Sequence, residues 1–328
     1  MKRTLVVTLS LLCAGLTALN PAKAQSDPAQ NYPDKPVRII VPFPVGGSMD
    51  SLARQLAQQL SERWAHPVVV DNRAGASGMI GLSAVAKSVP DGYTLGVVAN
   101  SFVANPLLRN DIPYDTFTSF TPVSLLATVP YVVTASASLP VKSIRDLATY
   151  AREKPDGVNY SSGGNGTMSH LGGEMLKGAI SMDATHVPYR GQAPALADVV
   201  SGHVAFTLGN LPEVIPLVQA GKVNALALLA ANRSSQLPNI PTLAESGHTP
   251  LAIGSWYGLV SAHGTPAPIV TKIQTAIAQA FQQPQFRAAL EQQGFEVIGN
   301  TPAQFESFMR QEFDVYKKVI ESAGIKSQ

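Results

Sequence analysis

Val41-Pro42-Phe43-Pro44-Val45-Gly46-Gly47-Ser48-Met49-Asp50 is the stretch whose reading decides this fold. It leaves a β-branched run, Val37-Arg38-Ile39-Ile40-Val41, and enters a stretch where Leu52, Leu56 and Leu60 recur every four residues. That change of period across two glycines predicts a strand, a tight turn and a helix over 51–64. Glycines let the backbone turn sharply and approach a ligand closely. The start of a helix offers unpaired N–H groups and the positive end of a dipole. The turn contains no Lys or Arg. Gly46, Gly47 and the Ser48 hydroxyl are therefore expected to form a backbone cradle for a small anion. Asp50 falls in the first helical turn. It either complements the dipole, or holds a ligand ammonium or hydroxyl, or orients a water. A plain strand-to-helix turn would have the same composition.

A second stretch repeats this logic: Tyr160-Ser161-Ser162-Gly163-Gly164-Asn165-Gly166-Thr167-Met168-Ser169-His170-Leu171. Ser162, Gly166 and Thr167 are its best contact candidates. Gly164-Asn165-Gly166 opens like a dinucleotide fingerprint, but Ser169 stands at the third glycine position and Asp183 closes no clear strand. No Gly-Lys-Ser/Thr follows, so a nucleotide-hydrolase phosphate loop is excluded as well. No cofactor is expected.

Between and beyond the cradles, strand and helix patterns alternate. Strands are expected at 37–41, 67–70, 94–98, 129–134, 158–160, 185–187, 204–208, 223–229 and 256–261. Helices are expected at 51–64, 77–87, 144–151, 168–177, 192–200, 268–281 and 304–321. This alternation predicts an α/β chain with a largely parallel sheet. The part after 246 holds one clear strand, too little for a domain of its own. It is expected to return to the first domain, giving a discontinuous domain of 35–130 plus 246–328 and an inserted domain of 131–245. A ligand cleft belongs between them. Asn100 and Ser101 follow the third strand, at the carboxyl edge where open sheets bind ligands. In the turn His186-Val187-Pro188-Tyr189-Arg190-Gly191, Tyr189 is expected to wall the cleft and Gly191 to expose its N–H. An ordinary turn with Tyr189 packed would look alike.

The N-terminal 24 residues read as an export signal. Lys2 and Arg3 precede an apolar run over 5–19, and Ala22-Lys23-Ala24 supplies a small–x–small cleavage pattern. The run is short for a membrane span of about 20 residues. Export places the mature chain in the periplasm. Of 24 Lys and Arg residues, Lys2, Arg3 and Lys23 lie in the signal, leaving 21 against 22 acids. No basic run remains for nucleic acid. Cys13 is the single cysteine and also lies in the signal. The mature chain can then form no disulfide, cysteine metal site or thiol nucleophile. The six histidines form no His-x-x-His or His-Glu-x-x-His pattern, and no Gly-x-Ser-x-Gly elbow is present. No catalytic set and no metal site emerge. An enzyme acting on a small organic acid or ester, and a ligand-sensing signalling protein, stay open as alternatives.

Several landmarks in order carry a resemblance. They are Val41 through Asp50 with Ala53-Arg54, Val70-Asp71-Asn72-Arg73-Ala74-Gly75, Pro90-Asp91-Gly92-Tyr93-Thr94 and Tyr160 through Leu171. Val187-Pro188-Tyr189-Arg190-Gly191, Ala220-Gly221-Lys222 and Pro241-Thr242-Leu243-Ala244-Glu245-Ser246-Gly247 follow. The chain resembles the Bug family, the extracytoplasmic substrate-binding receptors of tripartite tricarboxylate transporters. The resemblance implies a type II periplasmic binding protein fold, with two α/β domains around a ligand cleft that closes like a Venus flytrap. It implies a small carboxylate ligand, held by backbone groups and waters at Gly46, Gly47, Ser48, Asp50, Ser162, Gly166 and Thr167. It also implies an inner-membrane permease or a sensor as partner, and a monomer is expected. Val45 and Gly163 stand where the family commonly has proline and serine. Gly209 stands where many members carry an acid, which weighs against an amino-acid ligand.

Overall fold

The computed structural model describes residues 29–154 and 157–322. The expected export signal lies outside them. The first lobe begins with β1 (Val37–Val41), α1 (Ser48–Trp64), β2 (Val68–Asn72), α2 (Met79–Ala86), β3 (Thr94–Val98) and α3 (Asn100–Leu108). The long strand β4 (Phe120–Ser136) leads into the second lobe. There α4 (Ile144–Glu153), β5 (Val158–Ser162), α5 (Met168–Ala179), β6 (Ala184–Pro188) and α6 (Gln192–Val200) follow. β7 (Phe206–Asn210), α7 (Leu211–Gln219) and β8 (Val223–Leu229) complete that lobe. The chain returns through β9 (Gly254–Ala262), then α8 (Ala267–Phe281), α9 (Pro284–Gln292), β10 (Glu296–Val297) and α10 (Pro302–Ser322). Among the described residues, no helix is long and apolar enough to cross a membrane.

β4 joins the two lobes. Its residues up to Pro130 pair antiparallel with β9, and its residues from Tyr131 pair with β7 and β8. Only 129–134 of it was legible as strand. Pro122 and Pro130 interrupt the apolar run, and register shifts between Pro122 and Ser124 and between Leu125 and Ala127 break the two-residue alternation. β9 then inserts antiparallel between β3 and β4. The expected largely parallel sheet is accordingly mixed. β1 is parallel to β2 and β3, and β5 to β6 and β7, while every pairing of β4 and β9 is antiparallel.

The leucine spacing that predicted α1 does the expected packing. Leu52, Leu56 and Leu60 are fully buried, in one cluster with Ile39 and Val41 of β1 and Ile273 and Ile277 of α8. Each such leucine contributes roughly 2 kcal/mol of burial. α3 and α7 were not predicted. Pro106 lies inside α3, and Pro212 and Pro216 lie in α7, so both read as loops. Proline is acceptable at the start of a helix, where an N–H has no partner to lose. Burial of Phe102 and Val103, and of Leu211 and Val214, supplies what propensity withholds.

Candidate ligand-binding site

The cleft between the lobes is built from the carboxyl ends of strands and the helix starts that follow them. The first turns of α1 and α3 reach it from one lobe, and those of α5, α6 and α7 from the other. None of these five helices has a side-chain hydrogen bond from its capping residue. First-turn N–H groups of a helix lack intrahelical partners, and each start carries a partial positive charge. The lining contains no Lys, Arg or His. Phe43, Met168, Tyr131 and Tyr257 supply apolar walls. The volume open to the centres of water molecules is about 70 Å³. At roughly 10–15 Å³ per water, that is room for a handful of waters or one small molecule.

The first cradle is already engaged. Glu213, in the first turn of α7, reaches across from the second lobe to the start of α1. Its Oε1 accepts the Ser48 N–H at 2.6 Å and the Ser48 hydroxyl at 2.7 Å. Asn210 Nδ2 donates to the same oxygen at 3.2 Å. The Ser48 hydroxyl has one proton, so Tyr257 donates its own to Ser48 Oγ, at 2.6 Å. Burial pushes the Glu213 carboxyl above the usual carboxylate range, and the bonds from Ser48 and Asn210 offset only part of that. On the same wall, the Tyr131 and Ser255 hydroxyls are 2.6 Å apart.

Gly47, Ser48, Asp50, Asn100, Ser101 and Thr167 of the predicted residues line the cleft together. Gly46, Ser162, Gly166, Tyr189 and Gly191 lie outside the lining. Asp50 is occupied by its own lobe. It accepts the Gly46 N–H at 3.1 Å, Asn72 Nδ2 at 2.9 Å and Arg54 Nε at 3.0 Å. Burial alone would raise its carboxyl, but Arg54, Asn72 and Gly46 outweigh burial and hold it below the ordinary range. Its visible task is to fix the turn. Gly46 needs a glycine for its φ of 92°. Asn100 spends its side chain on Gly254 O, Tyr316 and Trp256 N. The Gly166 N–H donates to His170 Nδ1, and Tyr189 donates to Asp198. A side chain at Gly191 would meet Pro44 at 2.7 Å across the lobes.

Ser162 Oγ and His186 Nε2 are 2.6 Å apart, a serine–histidine pair that sequence spacing did not disclose. Ser162 is fully buried and lines no part of the cleft. His186 is pushed down to about 4, first by burial and then by the neighbouring His170. The pair is a packed contact outside the cleft lining. Among the described residues no group of acids and histidines could hold a metal ion.

Glu213, Tyr131, Tyr257 and Ser255 were missed in the sequence. The one available signal was Leu211-Pro212-Glu213 directly after a strand, since proline then an acid is a pattern for a first helical turn. The other three sit on strands that meet only through the crossing of β4 and β9.

The sequence model for the tripartite tricarboxylate transporter family receptor matches residues 52–325. The chain is 33% identical over 323 residues to protein BugT of Bordetella pertussis, covering 98% of this chain and 97% of that one. It superposes on R. palustris Rpa4515, solved with adipate, with a TM-score of 0.88 and 37% identity, over 90% of this chain and 100% of that one. It superposes on MatC of Rhodopseudomonas palustris, solved with bound malate, with a TM-score of 0.83 and 30% identity, over 88% and 100%.

Proposed function

This chain belongs to the tripartite tricarboxylate transporter receptor family and is a solute-binding receptor, and we propose that it captures a small carboxylate in the cleft described above. The observation that carries the reading is the meeting of five helix starts in a lining without a basic residue, none of them hydrogen-bonded by the side chain of its own capping residue and only that of α1 engaged by Glu213. Such a cavity attracts an anion through backbone N–H groups and dipoles, and waters can bridge the remaining distance. Rpa4515 holds adipate and MatC holds malate, which supports the same ligand class here. Gly47, Ser48, Asn100, Ser101 and Thr167 would bind or shape the ligand, with Asp50 and Gly46 holding the first turn.

The receptor would work in the periplasm and deliver its ligand to a tripartite-type permease or present it to a sensor. Two lobes, 35–130 plus 246–328 and 131–245, would close on the ligand about the β4–β9 crossing. The protein would bind without turnover.

A thermal-shift panel of mono-, di- and tricarboxylates tests this. A ligand that binds only the folded state raises the melting temperature by mass action. Gly47 has an ordinary φ of −80°, and an added Cβ would meet Glu213 Oε1 only at 3.5 Å. Gly47→Trp is therefore expected to fold, fill the cleft and abolish the ligand-induced shift. Undiminished affinity in Gly47→Trp would remove the first cradle from the site. Conversion of a bound acid to product would replace the receptor reading with an enzyme.

A further inference from the structure

Two acceptor oxygens of residues that line the cleft are buried without a hydrogen-bond partner among the described residues: Glu213 Oε2 and Asn210 Oδ1. Their orientations are fixed. Asn210 must turn Nδ2 to Glu213 Oε1, because the flipped amide would set an oxygen against a carboxylate. Glu213 must keep Oε1 on the Ser48 donors. Among the described residues no salt bridge neutralises Glu213, whereas Asp50, the other acid of the lining, is paired with Arg54 at 3.0 Å. The titratable groups facing Glu213 across the cleft are Tyr131 and Tyr257, both protonated and neutral. Its charge is instead favoured by the starts of α1 and α7.

A buried acceptor without a donor is costly, and a carboxylate oxygen more so than a neutral one. With Glu213 ionised, neither oxygen can serve a ligand carboxylate, which also only accepts. A carboxylate placed at the start of α1 would meet Glu213 already bound there. The first turns of α3, α5 and α6 stay available, through Asn100, Ser101, Met168, Ser169, Gln192 and Ala193.

We propose that Glu213, with Asn210, is a specificity-determining residue that accepts an N–H or O–H group of the ligand and turns away a second carboxylate at that end of the cleft. The ligand is then a monocarboxylate with a hydroxyl, amide or ammonium group at its far end, bound with its carboxylate toward α3, α5 and α6. This rests on the carboxylate-receptor reading and narrows it. Like charges in one buried site repel, so the second carboxylate is rejected as well as unrewarded.

Isothermal titration at neutral pH tests the proposal with matched sets of two to six carbons. Each set contains a simple monocarboxylate, its ω-hydroxy and ω-amino derivatives, and the corresponding dicarboxylate. Wild-type protein is expected to bind a donor-bearing member at least about tenfold more tightly than its dicarboxylate, the worth of one hydrogen bond to a charged group. Glu213→Gln keeps the side chain's shape, and it is expected to lose most of that preference and to gain affinity for the dicarboxylate. Glu213→Ala is a second variant with the same expected direction. A wild-type preference for dicarboxylates, or the same ranking in all three proteins, overturns the assignment of Glu213 while leaving a carboxylate receptor in place. Failure of wild-type protein to bind any carboxylate of the sets overturns both readings.

Discussion

The Ser48 N–H at the start of α1 donates to Glu213 Oε1 across the cleft at 2.6 Å, so an anion of the second lobe sits in the anion cradle of the first. The Ser48 hydroxyl strengthens the same tie at 2.7 Å, and Ser77 Oγ adds another by donating to Asn165 O at 2.8 Å. These bonds tie the lobes together beside the β4–β9 crossing.

Ser48→Ala is expected to loosen this closure. It removes one hydrogen bond to a charged group, worth about 1.5–3 kcal/mol, and leaves the backbone donor in place. Small-angle scattering of the ligand-free variant should give a larger radius of gyration than wild type. Superimposable scattering curves would mean that Ser48 Oγ does not contribute to closure.

Glu213 should make the protein less stable as it ionises. Burial raises its folded carboxyl above the ordinary range, so between the ordinary value and the raised one the folded state binds more protons than the unfolded. Stability then falls as pH rises through that window. Glu213→Gln is expected to melt higher than wild type at neutral pH and to flatten this part of the profile. Melting curves of both proteins across the acidic and neutral range check it, and parallel profiles would contradict it.

His186 has the opposite dependence on acid. Burial and the His170 ring, stacked at 4.0 Å, push it down to about 4. The unfolded imidazole titrates at about 6.5, so from there down to the folded value the unfolded state binds more protons. This contribution is complete above the unfolded value and is lost as pH falls toward 4. His186→Gln should reduce the acid-induced loss of melting temperature. An unchanged slope between neutral pH and the folded value would remove His186 as its source.

Gly254→Ala should damage the crossing between the lobes. An added Cβ would lie 2.2 Å from Val129 O, a backbone atom of the partner strand that cannot swing away. Overpacking of this kind costs about 1–3 kcal/mol. Denaturant titration should show a lower midpoint, whereas Gly264→Ala, with open space around its Cβ, tests only the strain of a positive φ. Equal or smaller loss at Gly254 would show that β4 and β9 separate freely there.

Much of the fold was legible because local periods are set by local physics. Leu52, Leu56 and Leu60 mark one face of a helix wherever that helix ends up. The glycine pairs at 46–47 and 163–164 mark sharp turns, and one residue of each pair, Gly46 and Gly164, has a positive φ. The length of β4 was hidden because bulges at Pro122 and Leu125 erase the alternation that reveals a strand. α7 was hidden because its prolines argue against a helix that burial of Leu211 and Val214 supports. With α7 unseen, Glu213 had no address.

By itself the sequence determined the α/β alternation, the two glycine turns and a first cradle without a basic residue. Those properties belong to residues close together in the chain. Which helix starts face one another, and which acid occupies the cradle, was decided only by the tertiary structure. Ser48 and Glu213 are 165 residues apart and meet because β4 and β9 bring two lobes edge to edge. No local period records that crossing, since it depends on the summed packing of both lobes and not on any one element.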